Sequence, residues 1–338
     1  MSNENKNNSS EVEAKNEHRN GKKLDTCSYT IETIKMWTEG YDDNYAFFIY
    51  DNKTLNTFVV DPQATNTVLK KYKTLINNNK YKLNLNGILI THKHTDHSGG
   101  NYNLRKIYND IKIYGGKRDN DKQYLGKNVF TNELNDGDVI QLGDNTLINV
   151  IHVPCHTLGH VLYYVTDING DYPSLFTGDT LFVGGVGHFR GALSNNLDAG
   201  QLMYENFDKI SKLPMNTKIY PGHEYAYDNY KFGLYIEPTN KKLIQRYKYA
   251  KKLSLMKKDD TDNTDICIPS TVQIELDTNV FMRLDKLKDN IILKWKLLGL
   301  NKHASFKTNG DLMQRLRSIK DKKPHRESKF EREFLNKL

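Results

Sequence analysis

Within six positions of this 338-residue chain stand His92, His94, Asp96 and His97, three imidazoles and one carboxylate. Neutral imidazole and ionised carboxylate together suit a borderline divalent cation such as zinc. The stretch directly follows an apolar run, Gly87-Ile88-Leu89-Ile90, that reads as a buried strand. A loop leaving a rigid strand end can aim several side chains at one point. The plain alternative is a histidine-rich loop that merely faces solvent. Three later segments weigh against it, each an apolar run that ends in a possible ligand with Gly or Pro nearby. They are Val153-Pro154-Cys155-His156, Phe176-Thr177-Gly178-Asp179 and Tyr220-Pro221-Gly222-His223. Gly and Pro let the backbone bend sharply as it leaves a sheet.

The remaining pattern predicts what must hold these loops. Tyr45–Tyr50 and Leu55–Val60, separated by Asn52-Lys53, read as a hairpin that Asp61-Pro62 ends. A helix with Val68, Leu69, Tyr72 and Leu75 on one face comes before the Ile88–Ile90 strand. Gly99-Gly100 permits a tight turn into a helix through Leu104 and Ile107. Strands are expected at Ile111–Tyr114, Asp138–Leu142, Thr146–Val153, Val161–Val165, Leu175-Phe176 and Lys218–Tyr220, with a helix around Leu202–Leu213. This is a layered α/β domain with helices outside packed sheets. After about residue 236 the pattern turns helical, at Lys241–Leu255, Asn290–Leu298 and Leu312–Lys320, with a charged linker at Lys257–Asp265. Residues 1–26 are polar, almost without large apolar side chains, and expected to be disordered. The domains are thus residues 1–26, 27–235 and 236–338.

Charge and cysteines narrow the setting. The net charge is +8, yet no compact basic run interleaved with aromatics stands out, so no nucleic-acid partner is expected. Three widely spaced cysteines, Cys27, Cys155 and Cys267, suit a reducing compartment, and Cys155 reads as a small buried residue. No run of about 18 apolar residues is present to span a membrane, and the first residues have no apolar segment of a signal peptide. A cytoplasmic protein, monomeric or weakly dimeric, is the expectation, or an organellar one if a leader precedes Met1. His152 and His160 are expected to bond locally, and His18, His303 and His325 to be exposed.

His-x-His-x-Asp-His resembles the signature of the metallo-β-lactamase superfamily. Within it, Pro154-Cys155-His156-Thr157, Phe176 to Phe182, Gly222-His223-Glu224-Tyr225 and Phe281-Met282-Arg283 are similar to the glyoxalase II family, over about Asp43 to Asp321. The resemblance implies a four-layer αββα sandwich followed by a helical glutathione-binding domain. It implies two divalent metals, zinc first with iron or manganese as alternatives. His92, His94 and His156 would hold one; Asp96, His97 and His223 would hold the other; Asp179 would bridge, its two oxygens suiting that place. Asp96 and Asp179 then belong to the catalytic centre.

The implied reaction is hydrolysis of a glutathione thioester by a hydroxide made available near neutral pH. A thiolate of pKa about 8.5 leaves without a protein acid, and the chain shows no Gly-x-Ser-x-Gly elbow. Arg317 and Lys320, at i and i+3 on one helix, match the family's residues for the glutathione carboxylate, and Tyr225 a tyrosine that bonds glutathione. One segment departs from the family: His188 stands where a basic residue is usual and Arg190 where an aromatic is, so Arg190 is expected to supply the missing cationic contact. A nuclease or a persulfide dioxygenase of the same superfamily, or a non-catalytic binder of glutathione conjugates, are the alternatives.

Overall fold

The computed structural model describes residues 26–36, 44–78, 82–255, 267–289, 307–326, 329–330 and 335–338. The polar extension up to residue 25, the Lys257–Asp265 linker, the Asn290–Leu298 helix, His18 and His303 lie outside them.

The first sheet takes its strands in chain order: β1 (Tyr29–Lys35), β2 (Tyr45–Asp51), β3 (Asn56–Val60), β4 (Asn84–Ile90), β5 (Lys112–Gly116) and β6 (Asn132–Leu134). The expected hairpin is β2–β3, antiparallel, while β3 to β6 run parallel. Between these strands come α1 (Thr65–Asn78), α2 (Thr95–Ser98), α3 (Asn101–Ile107) and α4 (Lys122–Leu125). The second sheet is ordered β14-β13-β10-β9-β8-β7, where β7 is Val139–Gln141, β8 Thr146–His152, β9 Val161–Asp167, β10 Ser174–Gly178, β13 Lys218–Pro221 and β14 Ser270–Thr271. A small hairpin, β11 (Leu181–Phe182) and β12 (Gly185–Val186), follows β10. The later helices are α5 (Arg190–Leu193), α6 (Ala199–Ser211), α7 (Ala226–Ile236), α8 (Lys241–Leu255), α9 (Val272–Thr278) and α10 (Asn309–Asp321).

Side chains alternate across each strand, and in the central strands β2, β3, β9 and β10 both faces are covered, so these read as nearly unbroken apolar runs. Phe47 and Ile49 of β2 point into the layer between the sheets, while Ala46 and Phe48 point to the outer layer under α1 and α3. Between the sheets Phe47 lies 5.2 Å from Phe176 and 5.4 Å from Tyr220, and those two rings stack 5.1 Å apart. On the far side, Leu162, Leu175 and Ile219 of the second sheet pack against Met203, Phe207 and Ile210 of α6 and Leu312 and Leu316 of α10. The layers are therefore αββα.

Past residue 236 the chain shares these cores. Leu243, Tyr247 and Ala250 of α8 join the inter-sheet cluster, and α10 joins the cluster outside the second sheet. This stretch is not purely helical, because β14 adds an antiparallel edge strand to β13. Phe47→Ala should lower stability by about 3–5 kcal/mol, since the void has sheet on both sides and little room to collapse. Urea unfolding checks this as a lower midpoint at unchanged slope.

Candidate metal centre

The loops with ligand chemistry leave neighbouring strand ends. β10 and β13 run parallel, so Asp179 and His223 emerge at the same edge of their sheet. His92 to His97 follow β4 in the other sheet, and His156 follows β8. All seven predicted side chains come together in three overlapping groups: His92, His94 and His156; His92, His97 and Asp179; Asp96, His97 and His223.

His94 Nδ1 is 2.9 Å from His92 Nε2 and 3.0 Å from His156 Nε2. A tetrahedral cation about 2.0–2.1 Å from each nitrogen sets them about 3.3 Å apart, so this triangle is close to one face of such a site. Around the third group His223 Nε2 lies 3.3 Å from Asp96 Oδ2 and 3.4 Å from Asp179 Oδ1. His97 Nε2 lies 3.3 Å from Asp179 Oδ1 and 3.6 Å from Asp96 Oδ2. The other oxygen of Asp179 is 3.4 Å from His156 Nε2. Asp179 therefore turns one oxygen to His156 and the other to His97 and His223, as the expected bridging place would need.

Two observations fit metal binding. His97 Nε2 and Asp179 Oδ1 are buried without a hydrogen-bond partner, a costly state for polar atoms that a coordinated cation relieves. A Cβ on Gly222 would meet His97 Cε1 at 2.6 Å and Asp179 Oδ1 at 2.8 Å, so glycine keeps this space open. The protonation states also suit ligation. Burial and neighbouring imidazoles hold His92 well below its ordinary pKa, and burial pushes His156 down to about 4 and lowers His94. Burial opposes ionisation of Asp96 and Asp179, but the imidazoles beside them prevail and hold both carboxylates low. His97 moves the other way. Against its burial, Asp179 and Asp61 raise it, and the field that keeps a proton there would equally hold a cation.

The supporting groups carried no motif. Asp61 accepts from the Thr91 backbone N–H (2.8 Å) and hydroxyl (2.7 Å), and its Oδ2 is 2.9 Å from His97 Nδ1. Its φ of +48° turns the chain at the end of β3, which the Asp61-Pro62 pair signalled only as a stop. Asp119, fully buried, accepts from Lys93 N (3.0 Å), Thr157 Oγ1 (2.5 Å) and Gly159 N (2.9 Å). It ties the His92–His97 loop to the His156 loop. His156 Nδ1 donates to the His188 carbonyl (3.0 Å), leaving Nε2 for coordination. His152 bonds locally to Leu158 O as expected. His160 does not: it stacks on His92 and its Nε2 accepts from the backbone N–H of Asp179. Cys155 is buried, its thiol pushed up to about 12 by burial.

A cavity of about 370 Å³ runs from His156 and Asp179 to α10. Tyr225 lines it, stacked 4.8 Å from His223. Arg317 lines it too, donating to Val186 O (2.6 Å), to Asp321 (2.7 Å) and to the His188 ring (3.0 Å). Lys320 bonds the Asn229 side chain, and burial followed by the charge of Arg317 pushes its pKa down to about 7. His188 is in the lining, but burial and Arg317 push it down to about 4, so it is neutral at pH 7 and no substitute cation. Arg190 is exposed on α5 and is not among the lining residues, though its charge reaches His188 and Arg317, which are. Lys323 and Arg326 stand in the lining instead. The expectation for His325 is corrected: it is 1% exposed, packed edge-on to Phe232, with Nε2 3.2 Å from Asp228. A polar sequence around it hid a ring that folds back under α7.

Also unforeseen was the clamp on the β11–β12 turn. Buried Glu275 accepts from Gly184 N (2.8 Å), and Asn279 donates to Gly185 O (3.0 Å). The Asp61 contacts lead to a prediction. Asp61→Ala should weaken metal affinity about 10–100-fold while the first ligands remain, measured by competition with a chelating dye.

Residues 44–225 match the metallo-beta-lactamase superfamily, and residues 224–323 match the hydroxyacylglutathione hydrolase C-terminus. A cytoplasmic hydroxyacylglutathione hydrolase of Arabidopsis thaliana is 37% identical over 245 residues, 72% of this chain and 85% of the relative. A hydroxyacylglutathione hydrolase of Dictyostelium discoideum is 33% identical over 288 residues, 83% of this chain and 96% of that one. Among solved structures, a metallo-beta-lactamase from Staphylococcus aureus superposes with a TM-score of 0.55 at 19% identity, over 86% of this chain and 72% of the other, a likeness of fold. With residues 44–225 matched by the superfamily, residues 224–323 by the narrower group, and relatives 33–37% identical over most of their length, the chain belongs to the metallo-beta-lactamase superfamily and, within it, to the hydroxyacylglutathione hydrolases.

Proposed function

We propose that this protein hydrolyses S-(2-hydroxyacyl)glutathione, with S-D-lactoylglutathione as the natural substrate and D-lactate and glutathione as products. The observation that carries this reading is the single cavity shared by His156 and Asp179 with Tyr225, Arg317 and Lys320. Its volume lies in the range of about 300–1,000 Å³ common for small-molecule sites.

In this reading His92, His94 and His156 would hold one divalent metal, Asp96, His97 and His223 would hold a second, and Asp179 would serve both. Zinc is the first choice for such a donor set, with iron or manganese acceptable to the same atoms. When bound, the pair supplies a water acidified towards neutral pH and Lewis acidity for the carbonyl oxygen. The chain's own residues do the rest. Asp61 and the His188 carbonyl orient His97 and His156. Arg317 and Lys320 draw the carboxylate of the glycine end, and Tyr225 gives the peptide a flat wall. The thioester would then reach the His156 and Asp179 end of the cavity, and the departing thiolate, with pKa about 8.5, needs no proton donor. A cytoplasmic setting agrees with the name of the Arabidopsis relative and with the three free thiols.

Purified protein should hydrolyse lactoylglutathione, lose turnover on chelation and regain it with added divalent metal. Metal-replete protein that leaves the thioester intact would sink the assignment. Asp179→Asn should lower kcat by more than a hundredfold, beyond what loss of an outer partner costs, read by steady-state kinetics. Lys320→Ala should raise KM about tenfold with kcat kept, the pattern of lost uniform binding.

A further inference from the structure

The wall of the cavity continues past Lys320. A chain of contacts leads there from the metal ligands: His156 to the His188 carbonyl, His188 to Arg317, and Lys320, one turn along α10, to Asn229. Next to Asn229 on α7 stands Asp228. Its Oδ1 accepts from Arg326 Nε at 2.8 Å, and its Oδ2 is 3.2 Å from Nε2 of buried His325. All three line the cavity. Despite burial, His325 and Arg326 keep the Asp228 carboxyl well below its ordinary range, so the pair is fully charged. Arg326 is half exposed, and among the described residues its bond to Asp228 uses Nε, leaving the two Nη groups for a ligand. It also lies beyond residue 323, where the match to the hydrolase C-terminus ends.

Glutathione has two unlike ends. The glycine end is a carboxylate alone, which cations suit. The γ-glutamyl end carries an ammonium and a carboxylate on one carbon. Its complement is a carboxylate beside a guanidinium, each with bonding capacity to spare. We propose that Asp228 and Arg326 receive this zwitterionic amino-acid head, Asp228 taking the ammonium and Arg326 the carboxylate. The pair then selects the γ-glutamyl tripeptide over shorter thiols. This rests on the thioester-hydrolase reading above. His325, pinned against Phe232, is a positioning residue that holds the Asp228 carboxylate.

The test compares lactoyl thioesters of glutathione and of cysteinylglycine, which lacks the γ-glutamyl group. The unsubstituted chain should favour the glutathione ester at least tenfold in kcat/KM. Arg326→Ala, at an exposed position, should raise KM for that ester about tenfold with kcat retained, and the preference should collapse. Asp228→Asn should collapse it likewise. A preference unchanged in Arg326→Ala, or equal losses on both esters, overturns the subsite and leaves Asp228–Arg326 a structural ion pair. Turnover of both esters without any preference overturns the subsite while the hydrolase stands. Turnover of neither overturns the hydrolase reading, and the subsite with it.

Discussion

Five imidazoles and two carboxylates held within one cluster, with ring nitrogens and carboxylate oxygens about 3 Å apart, are the constraint on which this structure depends. Such groups repel or stay unpaired unless a cation lies among them, and isolated loops would splay to escape. The fold prevents this by anchoring each loop in a sheet whose two faces are both covered. Phe47, Phe176 and Tyr220 lock the sheets together beneath the site, so loops from both sheets are held against each other. The rigidity lies in the strands and the charge lies at their ends.

Between the core and this cluster sits a layer of two buried carboxylates, Asp61 and Asp119. Asp61 aims His97, and Asp119 couples the His92–His97 loop to the His156 loop. Each accepts hydrogen bonds from backbone or hydroxyl donors, which offset the cost of burying it. This layer fixes which ring nitrogen faces the centre, and so turns a cluster of histidines into a geometry.

The C-terminal elements take part in the same arrangement. α8 and α10 complete two of the three cores of the sandwich, and Glu275 of α9 with Asn279 just after it clamps the β11–β12 turn. That turn leads to Val186, whose carbonyl takes Arg317, and to His188, whose carbonyl takes His156. The cavity wall at Arg317 and the His156 ring thus meet through one short stretch of backbone.

What the sequence determined by itself was the chemistry and the layering. His-x-His-x-Asp-His after an apolar run, and a single His or Asp after later runs, were legible because residue type and strand ends are local properties. The β2–β3 hairpin and the helices α1, α6 and α8 were legible for the same reason, since periodicity is local. Tertiary structure decided the partners. Asp61 looked like a strand terminator, Asp119 had no motif, and His325 lay in a polar tail, yet long-range packing made one an orienting base, one a tie between loops and one a buried prop. It also set Arg190 outside the cavity and Lys323 and Arg326 within it, because which cations face a pocket depends on how α10 and the turn after it lie against α7, and no spacing along the chain encodes that.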